Sequence, residues 1–235
     1  MNPRWKAHLA LLGANLFYGA GFTVAKLVMP AFIQPSGFIL IRVALAGSLF
    51  WLSYFGGSSF RATIDKQDYL RLVLCALFGV TANQLLFFAG LNLTSPIHAS
   101  LMMLSTPILV SLFAVYAYSD RMHAGRIAGL LLGVSGAACL ILLGGKDKAA
   151  THALQGDLFV FLNATSYALY LILVKPLIYR YRPVVVIRWI FLLGFLFVLP
   201  FGWHDFTHIQ WSDFGYKEYS AVFFIVVACT FFTRS

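Results

Sequence analysis

The sequence predicts an all-α protein, a polytopic membrane helix bundle of about eight transmembrane helices. Three observations predict it. Of the 235 residues, 60% are hydrophobic and only 11% are charged, whereas a soluble domain carries roughly a quarter charged residues. No polar surface can be assembled from such a chain, so lipid must be the solvent for much of it. The apolar residues are gathered into stretches of about 20, the length a helix needs to cross a hydrocarbon core of about 30 Å. The basic residues, finally, fall mostly in the short gaps between these stretches.

In chain order the stretches are 7–29, 36–55, 69–90, 95–117, 126–144, 157–179, 185–202 and 218–233. The first follows Arg4 and Lys6, as a secretory signal would. Its apolar part is too long for a signal and further spans follow at once, so we expect it to be retained. Pro30 and Pro35 separate the first span from the second, and Gly56-Gly57 closes the second. Pro107 interrupts the fourth and Pro176 the sixth, each removing a helical donor and freeing a carbonyl. Gly144-Gly145 closes the fifth. Pro183 opens the seventh, which is short and carries Pro200 near its end as a candidate early stop.

Lys and Arg accumulate on the cytoplasmic side of membrane proteins. With the amino end inside, the inner gaps hold Arg4, Lys6, Arg61, Lys66, Arg71, Arg121, Arg126, Arg180, Arg182 and Arg234; the outer gaps hold only Lys146, Lys148 and Lys217. The expected location is therefore the inner (plasma) membrane, with a cytoplasmic amino terminus. The net charge of +9 contains no Lys/Arg run of the kind that binds nucleic acid. Cys75, Cys139 and Cys229 lie in apolar stretches without metal-ligand spacing and read as small buried hydrophobes. No cofactor is expected.

The four remaining basic residues, Lys26, Arg42, Lys175 and Arg188, lie within or at the edge of spans and come in matching pairs. Tyr18 precedes Lys26 by eight residues, and Tyr167 precedes Lys175 by eight. Ile41-Arg42 with Gly47 beyond is matched by Ile187-Arg188 with Gly194 beyond, and each set follows a proline, Pro35 or Pro183. The pairs are separated by 149 and 146 residues. Such spacing predicts a five-helix inverted repeat, the first copy over 1–145 and an incomplete second copy of three helices over 146–235. Inverted repeats of this kind are typical of secondary carriers, whose substrate site lies between the halves.

Several local motifs carry a resemblance to a known family. They are Ala14-Asn15-Leu16-Phe17-Tyr18-Gly19, Arg42 early in span two, and Gly79-Val80 with Asn83-Gln84-Leu85-Leu86-Phe87-Phe88 and Gly90-Leu91 in span three. Thr106-Pro107, Asp120-Arg121 and the glycine-spaced Gly129, Gly133 and Gly136 follow. In these the chain resembles EamA-type transporters of the drug/metabolite transporter superfamily. The resemblance runs from about 8 to 230 and implies a carrier of ten helices in two inverted repeats, usually moving small metabolites or drugs outward. It also implies that two helices are missing after Ser235, so a truncated product is expected, with a non-functional remnant as one alternative.

The candidate substrate-binding residues are Tyr18, Arg42, Asn83, Gln84 and Tyr167. Tyr18 and Tyr167 offer an aromatic body with a hydroxyl, which suits amphiphilic solutes, though packing explains them equally. Arg42 lies about one and a half turns into its span, where facing lipid would cost roughly 2.5–3.5 kcal/mol at the bilayer centre. It should therefore face inward and favour carboxylate-bearing solutes. Asn15, Asn83, Gln84 and Asn163 either join helices or meet substrate. Lys26 and Lys175 are near enough to span ends to snorkel, and Arg188 reads as structural. All eight carboxylates, Asp65, Asp68, Asp120, Asp147, Asp157, Asp205, Asp213 and Glu218, fall in gaps or at span ends. A carboxylate proton relay thus has no mid-membrane seat; His98 is the alternative seat for one, and is first expected to join helices near the start of span four. Gly129, Gly133 and Gly136 read as packing within one subunit, with a homodimer left open.

A lipid-modifying intramembrane enzyme is the competing reading, but it would need clustered acids or paired His at an interface. The nearest approach is His204, Asp205, His208 and Asp213 in a loop after span seven. A channel would show a charged ring or filter loop. The expected partners are a small-molecule substrate and the lipid bilayer.

Overall fold

The computed structural model describes residues 28–29, 32–53, 64–118, 153–211 and 214–225, with isolated positions in 13–24 and 125–136. The spans expected at 7–29 and 126–144 therefore lie outside the described residues apart from those positions. Among the described residues the fold is all-α, without strands. Helix α1 is Pro35–Ser53, α2 Tyr69–Ala76, α3 Ala82–Leu93, α4 Pro96–Met103, α5 Thr106–Tyr118, α6 Ala153–Arg180, α7 Pro183–Thr207 and α8 Tyr216–Phe224. Five helical segments are long and apolar enough to cross a membrane: Pro35–Leu52, Lys66–Leu93, Pro96–Tyr118, Leu154–Arg180 and Pro183–Thr207. They coincide with the second, third, fourth, sixth and seventh expected spans. Of the eighth, α8 is described and the rest lies outside the described residues.

Lys66–Leu93 is one span because α2 runs into α3 through a π-helical turn at Leu77–Thr81. Pro96–Tyr118 is bent instead. Pro107 has no N–H to give to the preceding turn, and the chain passes from α4 to α5 through a tight turn at Leu104-Ser105. Ser95 caps α4, its Oγ accepting from the His98 N–H at 3.2 Å, with Pro96 in the first turn.

Two seams hold the bundle. In one, α1 and α7 run antiparallel. Phe50 meets Phe191 at 5.2 Å between ring centroids, and Trp51 meets Trp189 edge-on at 5.6 Å. At the other end Gly202 sits so close that a Cβ would come within 2.7 Å of the Ser36 carbonyl oxygen. In the second seam, Lys66–Leu93 lies against α6. A Cβ on Gly79 would strike the Tyr170 ring at 2.4 Å, one on Gly90 the Gly156 carbonyl oxygen at 2.8 Å, and one on Gly156 the Thr94 nitrogen at 2.8 Å. Small residues let the backbones approach this closely, and in lipid such packing is a principal source of helix association.

One expectation needs correction. The seventh helix stops neither at Pro200 nor at 202; it continues to Thr207, so His204 and Asp205 are helical and not in a loop. Proline removes one hydrogen bond, but Gly202 and Asp205 are held against the start of α1, which keeps the last two turns in register. Gly129, Gly133 and Gly136 have no described atom within 4 Å of where a Cβ would stand, and most of the span that carries them lies outside the described residues.

The contrast between glycines is testable. Gly156→Val should lower thermal stability in mild detergent by about 1–3 kcal/mol, because the branched side chain drives α6 off Thr94 and Gly90. Gly129→Ala should leave the unfolding midpoint unchanged. Equal midpoints for the two variants would sink the close-packed seam.

Candidate functional site

The polar groups inside the bundle cluster along the Lys66–Leu93 span. Gln84, 4% exposed, accepts a hydrogen bond from Arg42 Nη1 at 3.1 Å. The Arg42 guanidinium also lies 5.5 Å from the centre of the Phe88 ring. An amide acceptor and an aromatic face together make a buried arginine tolerable where water is scarce. This fulfils the inward orientation expected of Arg42 and brings it to Gln84.

On the α6 side, Asn163 is 1% exposed and donates from Nδ2 to the Asn83 backbone carbonyl at 2.6 Å. Ser166 donates from Oγ to the Phe78 carbonyl at 2.8 Å. The Phe78 carbonyl belongs to the π-helical turn, where the regular ladder is broken, so α6 supplies a donor where the turn presents an acceptor. Asn163 thus proves to be a helix join, and Asn83 takes part through its backbone. Tyr167 stacks on Tyr170 at 5.8 Å, and Tyr170 fills the space left by Gly79. Of the candidate residues, the structure joins Arg42 to Gln84 directly and sets Asn83 and Tyr167 along the adjoining seam. Tyr18, with Asn15 and Lys26, lies outside the described residues.

Two further basic residues are placed. Arg188 is buried to 1% exposure with its guanidinium 4.9 Å from the Trp51 ring centre, in the α1–α7 seam. Lys175 lies 4.7 Å from the Tyr118 ring centre. Tyr118 also donates from its hydroxyl to the Ile172 carbonyl at 2.7 Å. That carbonyl stands four residues before Pro176 and loses its helical donor to the ring. The freed carbonyl is met by another helix instead of lining open space.

Three buried or half-buried carboxylates tie the span ends. At the end where α2 begins, Asp68 is 3% exposed and accepts from Arg180 Nη1 at 3.1 Å and from the Tyr181 hydroxyl at 3.0 Å. Tyr181 oxygen in turn accepts from the Asp65 backbone N–H at 3.1 Å. That bond favours the phenolate, but desolvation and the Asp68 and Asp65 carboxylates outweigh it, and the phenol is held above its ordinary value. At the opposite end, Asp157 accepts from Thr94 Oγ1 at 2.7 Å and lies 3.4 Å from His98 Nδ1. Ser36 donates to Asp205. His98 thus joins helices, as expected. Composition placed these acids at span ends; their burial and partners needed the fold.

His204 and His208 stack at 4.4 Å on the last turn of α7, and His204 Nδ1 lies 3.4 Å from Asp205 Oδ1. Asp213 lies outside the described residues. Among the described residues no three His, Cys, Asp or Glu gather as a metal site would require.

Residues 5–142 match the EamA-like transporter family, which is more than half of the chain. The chain belongs to that family. An uncharacterized transporter of Bacillus subtilis, YetK, is 26% identical over 232 residues, covering 94% of this chain and 69% of its own. A protein of Streptantibioticus cattleyicolor named as a probable terminal-alkyne amino-acid exporter is 30% identical over 134 residues, covering 57% of this chain and 44% of its own. A crystal structure 21% identical in sequence superposes with a TM-score of 0.64, covering 97% of this chain and 77% of that one, which places the fold. This EamA-like chain is a multi-pass membrane protein of a transporter family.

Two local substitutions probe the EamA-like site. Gln84→Leu removes the acceptor seen by Arg42 and should lower the unfolding midpoint by the equivalent of about 1–3 kcal/mol. Tyr118→Phe should cost less, about 0.6–1.7 kcal/mol, the range of a single interhelical hydrogen bond in a membrane. Thermal unfolding by near-ultraviolet circular dichroism ranks the two, and the reverse order would contradict these assignments.

Proposed function

We propose that this chain works as a secondary carrier in the inner membrane, amino end cytoplasmic, exporting small metabolites by alternating access. In this reading the segment 1–145 rocks against 146–235 about a site formed by Tyr18, Arg42, Asn83, Gln84 and Tyr167. Arg42 selects solutes bearing a carboxylate, and Tyr18 and Tyr167 contact their apolar parts.

One observation carries the reading. Each of the three carboxylates that tie the span ends has a partner in the other segment: Asp68 has Arg180 and Tyr181 at one end, and Asp157 has Thr94 and His98 and Asp205 has Ser36 at the other. Ties of this kind at both ends, with a buried Arg–Gln pair between, are what two halves need if each end is to open while the other stays closed. Membership of the EamA-like family and the printed names of the relatives favour transport over chemistry on lipids. The amino-acid exporter named among the relatives moves a solute with a carboxylate, the group that Arg42 would recognise.

The test is counterflow in proteoliposomes against a panel of small carboxylates, amino acids among them. Arg42→Ala and Tyr167→Ala should each lower the rate for an accepted solute at least about tenfold, the loss of roughly 1.4 kcal/mol of binding or orientation. Arg42→Ala should in addition erase the preference for carboxylates over their amides. Wild-type rates in both variants at equal membrane abundance would remove these residues from the path.

A further inference from the structure

The ties at the two ends differ in chemistry. At the Asp68 end the cation is Arg180, which keeps its charge at every physiological pH. At the opposite end the group facing the carboxylate is His98, whose side-chain type changes charge between about pH 5 and pH 8. Residue numbers place that end on the outer side if the amino end is cytoplasmic. His98 and Asp157 side chains are 23% and 19% exposed, so protons reach the pair while water does not dissolve it.

We propose that His98 and Asp157 form a proton-binding site which closes the outer gate between the two halves. The inference rests on the rocking mechanism proposed above. Thr94 anchors the Asp157 carboxylate through Oδ1 at 2.7 Å, leaving Oδ2 for His98 Nδ1 at 3.4 Å. Ser95 holds the start of α4 in place through the His98 backbone N–H. Among the described residues, Asp157 is the titratable group that faces His98 from α6. Thr94 and Ser95, which face it from the preceding turn, are neutral, and α4 itself carries no other charge. The other described histidines at this end, His204 and His208, are exposed and stack on each other, His204 beside Asp205.

The sign follows from linkage. A protonated imidazole is attracted to the Asp157 carboxylate in the closed state and a neutral one is not, so protonation favours closure and lower pH favours the closed outer end. External acid locks the outer end, and the inner end then moves only because rocking couples it to the outer one.

Spin-label distances in the whole chain, reconstituted in nanodiscs of phosphatidylethanolamine and phosphatidylglycerol, test this. With Cys75, Cys139 and Cys229 replaced by alanine, one label pair is placed at Ile97→Cys and Leu154→Cys, both exposed at the outer end. A second pair is placed at Leu70→Cys and Tyr179→Cys, exposed at the inner end. Lowering pH from about 8.5 to about 5.5 should raise the ratio of short to long outer distances about threefold or more, with the inner ratio moving oppositely. His98→Gln and Asp157→Asn should each flatten the response, and His204→Gln should leave it intact. Two populations that ignore pH, or that respond equally in His98→Gln, would overturn the proton site and leave rocking standing. A single unmoving distance in both pairs would overturn rocking, and the proton gate with it.

Discussion

The constraint on which the rest of this structure depends is the close approach of the Lys66–Leu93 span to α6. Lipid offers no hydrophobic driving force between helices, so they associate through shape and hydrogen bonds. Gly79, Gly90 and Gly156 remove the side chains that would hold the two backbones apart. Only at that distance can Asn163 and Ser166 reach the Asn83 and Phe78 carbonyls, and only then is the π-helical turn satisfied in a place without water. The seam also fixes where α4 and α7 can lie: Asp157 at one end of α6 takes the start of α4, and Gly194 of α7 packs on Val80 beside the turn.

Buried arginine is the second theme. Arg42 and Arg188 were legible as a pair from their spacing, yet their surroundings differ. Arg42 meets an amide and a phenylalanine face, and Arg188 meets a tryptophan face within the tight α1–α7 seam. A guanidinium can be kept in a low-dielectric interior by oriented acceptors and π-faces, which ask less of the fold than a full carboxylate partner.

How much of this could be read beforehand varied with the physics involved. The spans were legible because their length and polarity are set by the bilayer, and the five described ones fall within a few residues of the expected ranges. Pro176 pointed to a freed carbonyl, but that Tyr118 would take it depended on two helices remote in sequence. Pro200 misled, because a proline weakens a helix by one bond while the packing of Gly202 against Ser36 and Leu40 restores it, and packing has no local signature. The same holds for Asp68, which reads as a loop acid and is buried by Arg180 and Tyr181. Of the candidate residues, the inward face of Arg42 was recoverable because a charge in a span must face inward, whereas its meeting with Gln84 and that of Asn163 with a backbone carbonyl depended on helices remote in sequence.

The placement of polar contacts along the seams bears on how the halves could move. A hydrogen bond at a span end can exchange with water, so breaking Asp157 from Thr94 or Asp68 from Tyr181 costs little net free energy. A hydrogen bond at mid-span has no such exchange, and breaking Asn163 from the Asn83 carbonyl or Ser166 from that of Phe78 would strand groups at several kcal/mol each. The ends are therefore the labile part of the α6 seam and its middle is the fixed part. In the rocking proposed above, a body held at its middle and released alternately at its ends pivots, with the Tyr170 ring seated at Gly79 in that fixed middle. On that proposal Gly79 and Tyr170 mark the fulcrum, and the Arg42–Gln84 pair lies to one side of it.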